Sequence, residues 1–105
     1  MNDRKHRRKL GQNYLVDPVI LFEIERAINP QNNNLFFEIG PGTGALTSQL
    51  MGQNIRITAM DLDRKNVDML MEKYSDTKHE FLHGDVLRES LEFLRISKHR
   101  IVGNL

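Results

Sequence analysis

The sequence contains no cysteine and no tryptophan. The first absence removes disulfides, cysteine-ligated zinc and thiol catalysis together. It is compatible with a reducing compartment, and the cytoplasm is the expected location. No apolar run approaches the roughly 18 residues that a membrane crossing needs, so no membrane partner is expected. The first residues carry positive charge with no apolar stretch behind them, so no secretory signal is expected either. What is present is ordinary for a folded chain. Of 105 residues, 39% are hydrophobic and 28% charged, which excludes wholesale disorder and allows one small domain at most.

The formal net charge of +1 hides an asymmetry. Residues 1–9 hold five basic residues (Arg4, Lys5, Arg7, Arg8, Lys9) and one acid, a net of +4. Residues 10–105 hold ten basic and thirteen acidic residues, a net of −3. A basic arm over residues 1–10 on a mildly acidic body predicts a polyanionic partner touched mainly by the arm. The plain alternative is a solvated, frayed terminus.

Along the body, periodicity predicts alternating helices and strands. Asp17 followed by Pro18 is a helix start. Ile20, Ile24, Ala27 and Ile28 then mark one apolar face. Asn29-Pro30-Gln31-Asn32-Asn33-Asn34 reads as a loop. Residues 35–39 read as a buried strand running into Gly40-Pro41-Gly42-Thr43-Gly44, with a helix after it carrying Leu46 and Leu50. Residues 55–60 form a second strand ending at Asp61. Val67, Leu70, Met71 and Tyr74 mark a second crossover helix. Residues 80–82 are a third strand before Gly84-Asp85, and residues 100–103 a fourth before Asn104-Leu105. Strand and helix alternating in this way predict an α/β fold with a parallel sheet. Such sheets bind ligands at the carboxyl ends of their strands. Gly40 to Gly44, Asp61, Asp85 and Asn104 all fall there.

These residues suggest a chemistry. Glycine lets a strand turn sharply into a helix and lets a ligand approach bare backbone. With no Gly-Lys-Ser/Thr, the loop is not a phosphate-cradling P-loop. It fits the G-x-G-x-x-A dinucleotide form, and Asp61 lies 21 residues after Gly40, where a ribose-binding acid belongs. Asp63 is its neighbour and competitor, expected in the loop or helix cap. NAD and S-adenosylmethionine both suit these two features. A second acid, Asp85, placed to accept from an adenine amine, favours S-adenosylmethionine, although an Asp after Gly is also a common turn residue. Asn104 is the candidate for chemistry. Its side-chain oxygen, with a backbone carbonyl nearby, can accept from an aromatic amine and favour a tetrahedral nitrogen whose lone pair faces a methyl group. Asn at a strand end is equally a common turn residue.

Five strings in order, GQNYLVD (11–17), FEIGPGTGALT (37–47), MDLDR (60–64), HGDVL (83–87) and IVGNL (101–105), together resemble the bacterial KsgA/RsmA family of small-subunit rRNA adenine dimethyltransferases. The resemblance runs through nearly the whole chain from Leu10. It implies a Rossmann-like S-adenosylmethionine-dependent methyltransferase fold with strand order 3-2-1-4-5 and onward. It also implies dimethylation of the N6 amines of two adjacent adenines near the 3′ end of small-subunit (16S) rRNA. By matching positions, Asn13 and Leu15 would close over the methionine end of the cofactor. Gly40 would meet its amino-acid portion, Asp61 its ribose and Asp85 its adenine amine. Asn104 would begin the Asn-Leu-Pro-Tyr motif that holds the target amine. Asp61 stands where the family usually has Glu, which leaves room for a water in the ribose contact. The motif is cut after Leu105, so residues 11–105 are expected to be the N-terminal half of a longer, monomeric enzyme, inactive as a fragment and without a metal. The rival readings are an Erm-type large-subunit rRNA methyltransferase, an NAD-dependent oxidoreductase, which leaves GQNYLVD without a purpose, and a non-catalytic RNA-binding factor.

Overall fold

A strand buried on both faces needs a near-continuous apolar run, and Leu35–Ile39 (β1, LFFEI) supplies one. Phe36 and Phe37 point to opposite faces and are both fully buried. The computed structural model describes residues 17–52 and 54–103. Around β1 lie Arg56–Asp61 (β2), Glu80–His83 (β3) and Arg100–Gly103 (β4). All pairings are parallel, in the order β3-β2-β1-β4. This is the predicted order for the strands present.

Helices Pro18–Ile28 (α1), Ala45–Leu50 (α2), Arg64–Lys73 (α3) and Phe93–Ile96 (α4) complete the described architecture. The start of α1 is fixed as expected, with Asp17 accepting from the Val19 amide at 2.9 Å and Pro18 opening the helix. The buried stripe differs from the predicted one. Leu21 is its buried residue, Ile24 and Ile28 pack against the core, and Ala27 faces solvent. On α3, Val67 and Leu70 are buried and Tyr74 stacks on Phe81 with ring centroids 5.7 Å apart, but Met71 is exposed. The core joins Phe36, Ile57, Ala59 and Phe81 of the sheet to Leu46 and Leu50 of α2 and Val67 and Leu70 of α3. On the other face Phe93 of α4 meets Phe37 edge-on, with centroids 5.4 Å apart.

Arg100 fastens β4 to the end of α1. Its guanidinium donates to the Ile28 carbonyl, to the Asn29 carbonyl at 3.2 Å and to Asn34 Oδ1 at 3.1 Å. It also lies over the Phe36 ring, 5.2 Å from the centroid. A cation on the last carbonyls of a helix complements the helix dipole.

Candidate functional site

Parallel strands put all four carboxyl ends on one edge, and the residues there converge on Asp61. The Asp61 side chain is buried. Its Oδ2 accepts from the Gly42 amide at 2.8 Å and its Oδ1 from the Asp63 amide at 2.8 Å. Its backbone carbonyl accepts from the Gly84 amide at 3.0 Å. One aspartate therefore ties the glycine loop, the β2–α3 turn and the end of β3 together. Each carboxylate oxygen keeps a further lone pair for a ligand hydroxyl.

The glycine loop is shaped by left-handed backbone. Gly42 has φ +60°, and a Cβ built there would meet nothing within 4 Å. The space in front of its backbone is open, as close approach of a ligand requires. Gly44, at φ +91°, is glycine for a second reason: a Cβ would lie 2.8 Å from Leu70 Cδ2. The loop closes with the Gly44 amide donating to the Pro41 carbonyl at 2.9 Å, and Gly40 extends the ladder by donating to the Met60 carbonyl at 2.8 Å.

Beneath the loop sits Glu38, a residue that none of the sequence motifs singles out as functional. It is fully buried at the end of β1, and its carboxylate accepts from the Thr47 hydroxyl on α2. Burial pushes its pKa up to about 7; the Thr47 hydrogen bond opposes the rise and the Asp61 charge adds to it. The signal for it in the sequence is one acid inside the apolar run LFFEI, with a hydroxyl residue nine positions on.

The remaining residues are placed as follows. Asp63 caps α3, accepting from the Lys65 amide at 2.9 Å, so Asp61 is the acid of the site edge. Asp85 follows β3 by two residues. Its Oδ1 accepts from the Leu87 amide at 2.9 Å, and its Oδ2 lies 3.7 Å from the largely exposed Arg88 guanidinium. It thus builds the turn and keeps an oxygen toward solvent. Leu62, between the two acids, is 70% exposed, a large apolar surface at the site's rim. The His83 ring donates from Nε2 to the Leu62 carbonyl at 3.1 Å and steadies that turn. β4 ends at Gly103 beside Ile39, so its carboxyl end lies next to the start of the glycine loop. Asn13, Leu15, Asn104 and the arm residues Arg4, Lys5, Arg7, Arg8 and Lys9 lie outside the described residues. Among the described residues no group of three or more His, Asp or Glu is placed to hold a metal, and no helix is long and apolar enough to cross a membrane.

Comparison with known proteins identifies the family and the fold. A family model described as Ribosomal RNA adenine dimethylase matches residues 3–105. Ribosomal RNA small subunit methyltransferase A of Pseudomonas putida is 38% identical over 102 residues, covering 94% of this chain and 38% of that protein. The protein of the same name from Cupriavidus metallidurans is 42% identical over 102 residues, covering 94% and 36%. The chain thus spans under two fifths of the length of these relatives. A dimethyladenosine transferase from Plasmodium falciparum superposes with a TM-score of 0.70 at 22% identity, covering 85% of this chain and 32% of that one. Coclaurine N-methyltransferase bound to N-methylheliamine and SAH superposes at 0.63 with 19% identity, covering 70% and 23%. At these identities the structural likenesses establish the fold, a Rossmann-like methyltransferase sheet.

Proposed function

The chain belongs to the ribosomal RNA adenine dimethylase family, and from that premise we propose that it serves S-adenosylmethionine-dependent dimethylation of the N6 amines of two adjacent adenines near the 3′ end of small-subunit rRNA. The observation that carries this reading is the Gly42–Asp61 junction at the carboxyl edge, within a chain matched to the family from residue 3 to residue 105. The names of the relatives favour the small-subunit target over the large-subunit one. The residues fit the cofactor. Gly42 offers open backbone, Asp61 has lone pairs for ribose hydroxyls, Asp85 has an oxygen for the adenine amine, and Leu62 presents apolar surface to a ring.

S-adenosylmethionine, when bound, supplies an electrophilic methyl group. The residues of this chain would hold it as follows. Asp61 fixes the ribose while holding the glycine loop in place. Asp85 and Leu62 together select adenine, one by hydrogen bond and one by packing. Gly40 would meet the amino-acid portion, and Asn13 and Leu15 would close over it. Asn104 follows Gly103 in the chain. Its side-chain oxygen would accept from the target amine and favour a tetrahedral nitrogen with its lone pair free for the methyl group. The amine becomes acidic only after transfer, so no strong base is required. The arm residues Arg4, Lys5, Arg7, Arg8 and Lys9 meet rRNA phosphates, and the reaction takes place in the cytoplasm. Deleting the coding sequence from its host tests the reading. Mass spectrometry of small-subunit rRNA should then find the adjacent 3′-end adenines unmethylated; intact dimethyladenosine would contradict it.

A further inference from the structure

The opposite edge of the sheet carries a second feature. Parallel strands gather their amino ends there as they gather their carboxyl ends at the site. A cavity of about 280 Å³ opens at this edge, and its polar lining is Asn33, Asn34, Asn54, Arg56 and Lys78. Arg56 opens β2, and Lys78 precedes β3 by two residues. Arg56 and Lys78 both line this one cavity. Like charges that share a cavity repel each other, and an anion bound between them would relieve that repulsion. Both side chains are exposed, and among the described residues neither is in an ion pair. The acids of the adjoining segment, Asp76 and Glu80, are exposed and lie outside the lining.

The neutral residues are arranged for an anion as well. Lys78 Nζ donates to Asn54 Oδ1 at 3.2 Å, which leaves the Asn54 amide hydrogens to donate. Asn34 Oδ1 is taken by Arg100 and by the Gln31 amide, so its donors too are the free part. His79 lies beside the two cations, with Nδ1 accepting from the Ile57 amide at 3.0 Å. Burial, then Lys78, then Arg56 lower its pKa, so the ring stays neutral among positive neighbours. Two cations without an acidic partner among the described residues, sharing a cavity with amide donors, match the chemistry of a phosphate group.

We propose that Arg56 and Lys78, with Asn54 in the same cavity, bind a backbone phosphate of RNA at the edge of the sheet opposite the methyl-transfer site. The choice of RNA rests on the function proposed above, since rRNA is the polyanion that function brings to the protein. The two cations hold the RNA by charge and position, without reading bases.

The test uses the 105-residue chain and a short RNA hairpin, with affinity measured across a salt series. The double variant Arg56→Gln, Lys78→Gln should lower the slope of log affinity against log salt by about 0.7–0.9 for each phosphate that is no longer neutralised. The single variant Lys78→Gln should lower it by about half as much. Circular dichroism should show both variants folded, because both side chains are exposed. An unchanged slope in the folded double variant overturns the proposal, and so does an absence of RNA binding by the unaltered chain. Saturable binding of inorganic phosphate that the double variant loses, with RNA affinity unmoved, overturns the assignment to RNA and makes the cavity a free-phosphate site. The methyl-transfer reading is decided separately, by S-adenosylmethionine titration of the same variants, which should match the unaltered chain.

Discussion

The amide of Gly42 donates to the Asp61 carboxylate at 2.8 Å, across 19 residues of sequence. This bond closes the glycine loop onto the end of β2, so the side chain proposed to hold the ribose is also a brace of the fold. Asp61→Asn separates the two roles. The amide nitrogen of Asn cannot accept, so either Gly42 or Asp63 loses its partner. Unfolding by denaturant should show a loss of roughly 1–3 kcal/mol, the penalty of an unsatisfied buried donor. Unchanged stability would remove Asp61 from the loop's support.

Gly42 and Gly44 should respond differently to alanine. At Gly44 the new methyl meets Leu70 at 2.8 Å in left-handed backbone, and the loss should be about 2–5 kcal/mol from strain and overpacking combined. At Gly42 the space is open, so only the backbone penalty of about 1–2 kcal/mol applies. The cost of Gly42→Ala should appear mainly in ligand binding, where the methyl occupies the approach. Equal thermal stability of the two variants would contradict this assignment.

Glu38 makes stability depend on pH. Its pKa is about 7 in the fold against an ordinary 4.5. Below the ordinary value it is protonated in both folded and unfolded chains, and its burial costs no charge. As pH rises from 4.5 to 7 the unfolded chain gives up its proton first, so the fold loses stability across that window. The loss is on the order of 3 kcal/mol once pH passes the folded-state value. Glu38→Gln keeps an oxygen for the Thr47 hydroxyl and carries no charge. Its denaturation midpoints should therefore be flatter with pH over the same window. A slope equal to that of the unaltered chain would remove Glu38 as its source.

Asp85 has one oxygen on the Leu87 amide and a second proposed for the adenine amine. Asp85→Asn retains an acceptor for the Leu87 amide and so keeps the turn. It replaces the outward oxygen by a donor, which cannot accept from an adenine amine. Calorimetry should show S-adenosylmethionine binding weakened by about 1.5–3 kcal/mol, with thermal stability little changed. Unaltered affinity would leave Asp85 a turn residue alone.

Strands are the most legible part of the sequence, because β1 and β2 carry dense apolar runs and their ends are marked by Gly40 and Asp61. Helix faces are less legible. Counting from Ile20 and from Val67 puts Ala27 and Met71 on buried stripes, whereas Leu21 takes the burial on α1 and Met71 faces solvent. Single-residue periodicity does not fix how a helix rotates on its sheet; the neighbouring side chains do. The one-turn helix Phe93–Ile96 is too short for periodicity to reveal, and it is held by Phe93 against Phe37. At the site, Gly40, Asp61 and Asp85 fall at the strand ends where spacing puts them. That Gly42 and Glu38 flank Asp61 emerges only when β1 and β2 lie side by side.

The central claim is a cofactor site built on Gly42 and Asp61, and calorimetric titration of the chain tests it most directly. The predicted result is saturable heat with S-adenosylmethionine, none with NAD, and loss of the S-adenosylmethionine signal in Gly42→Ala. Saturable heat with NAD and none with S-adenosylmethionine would contradict it.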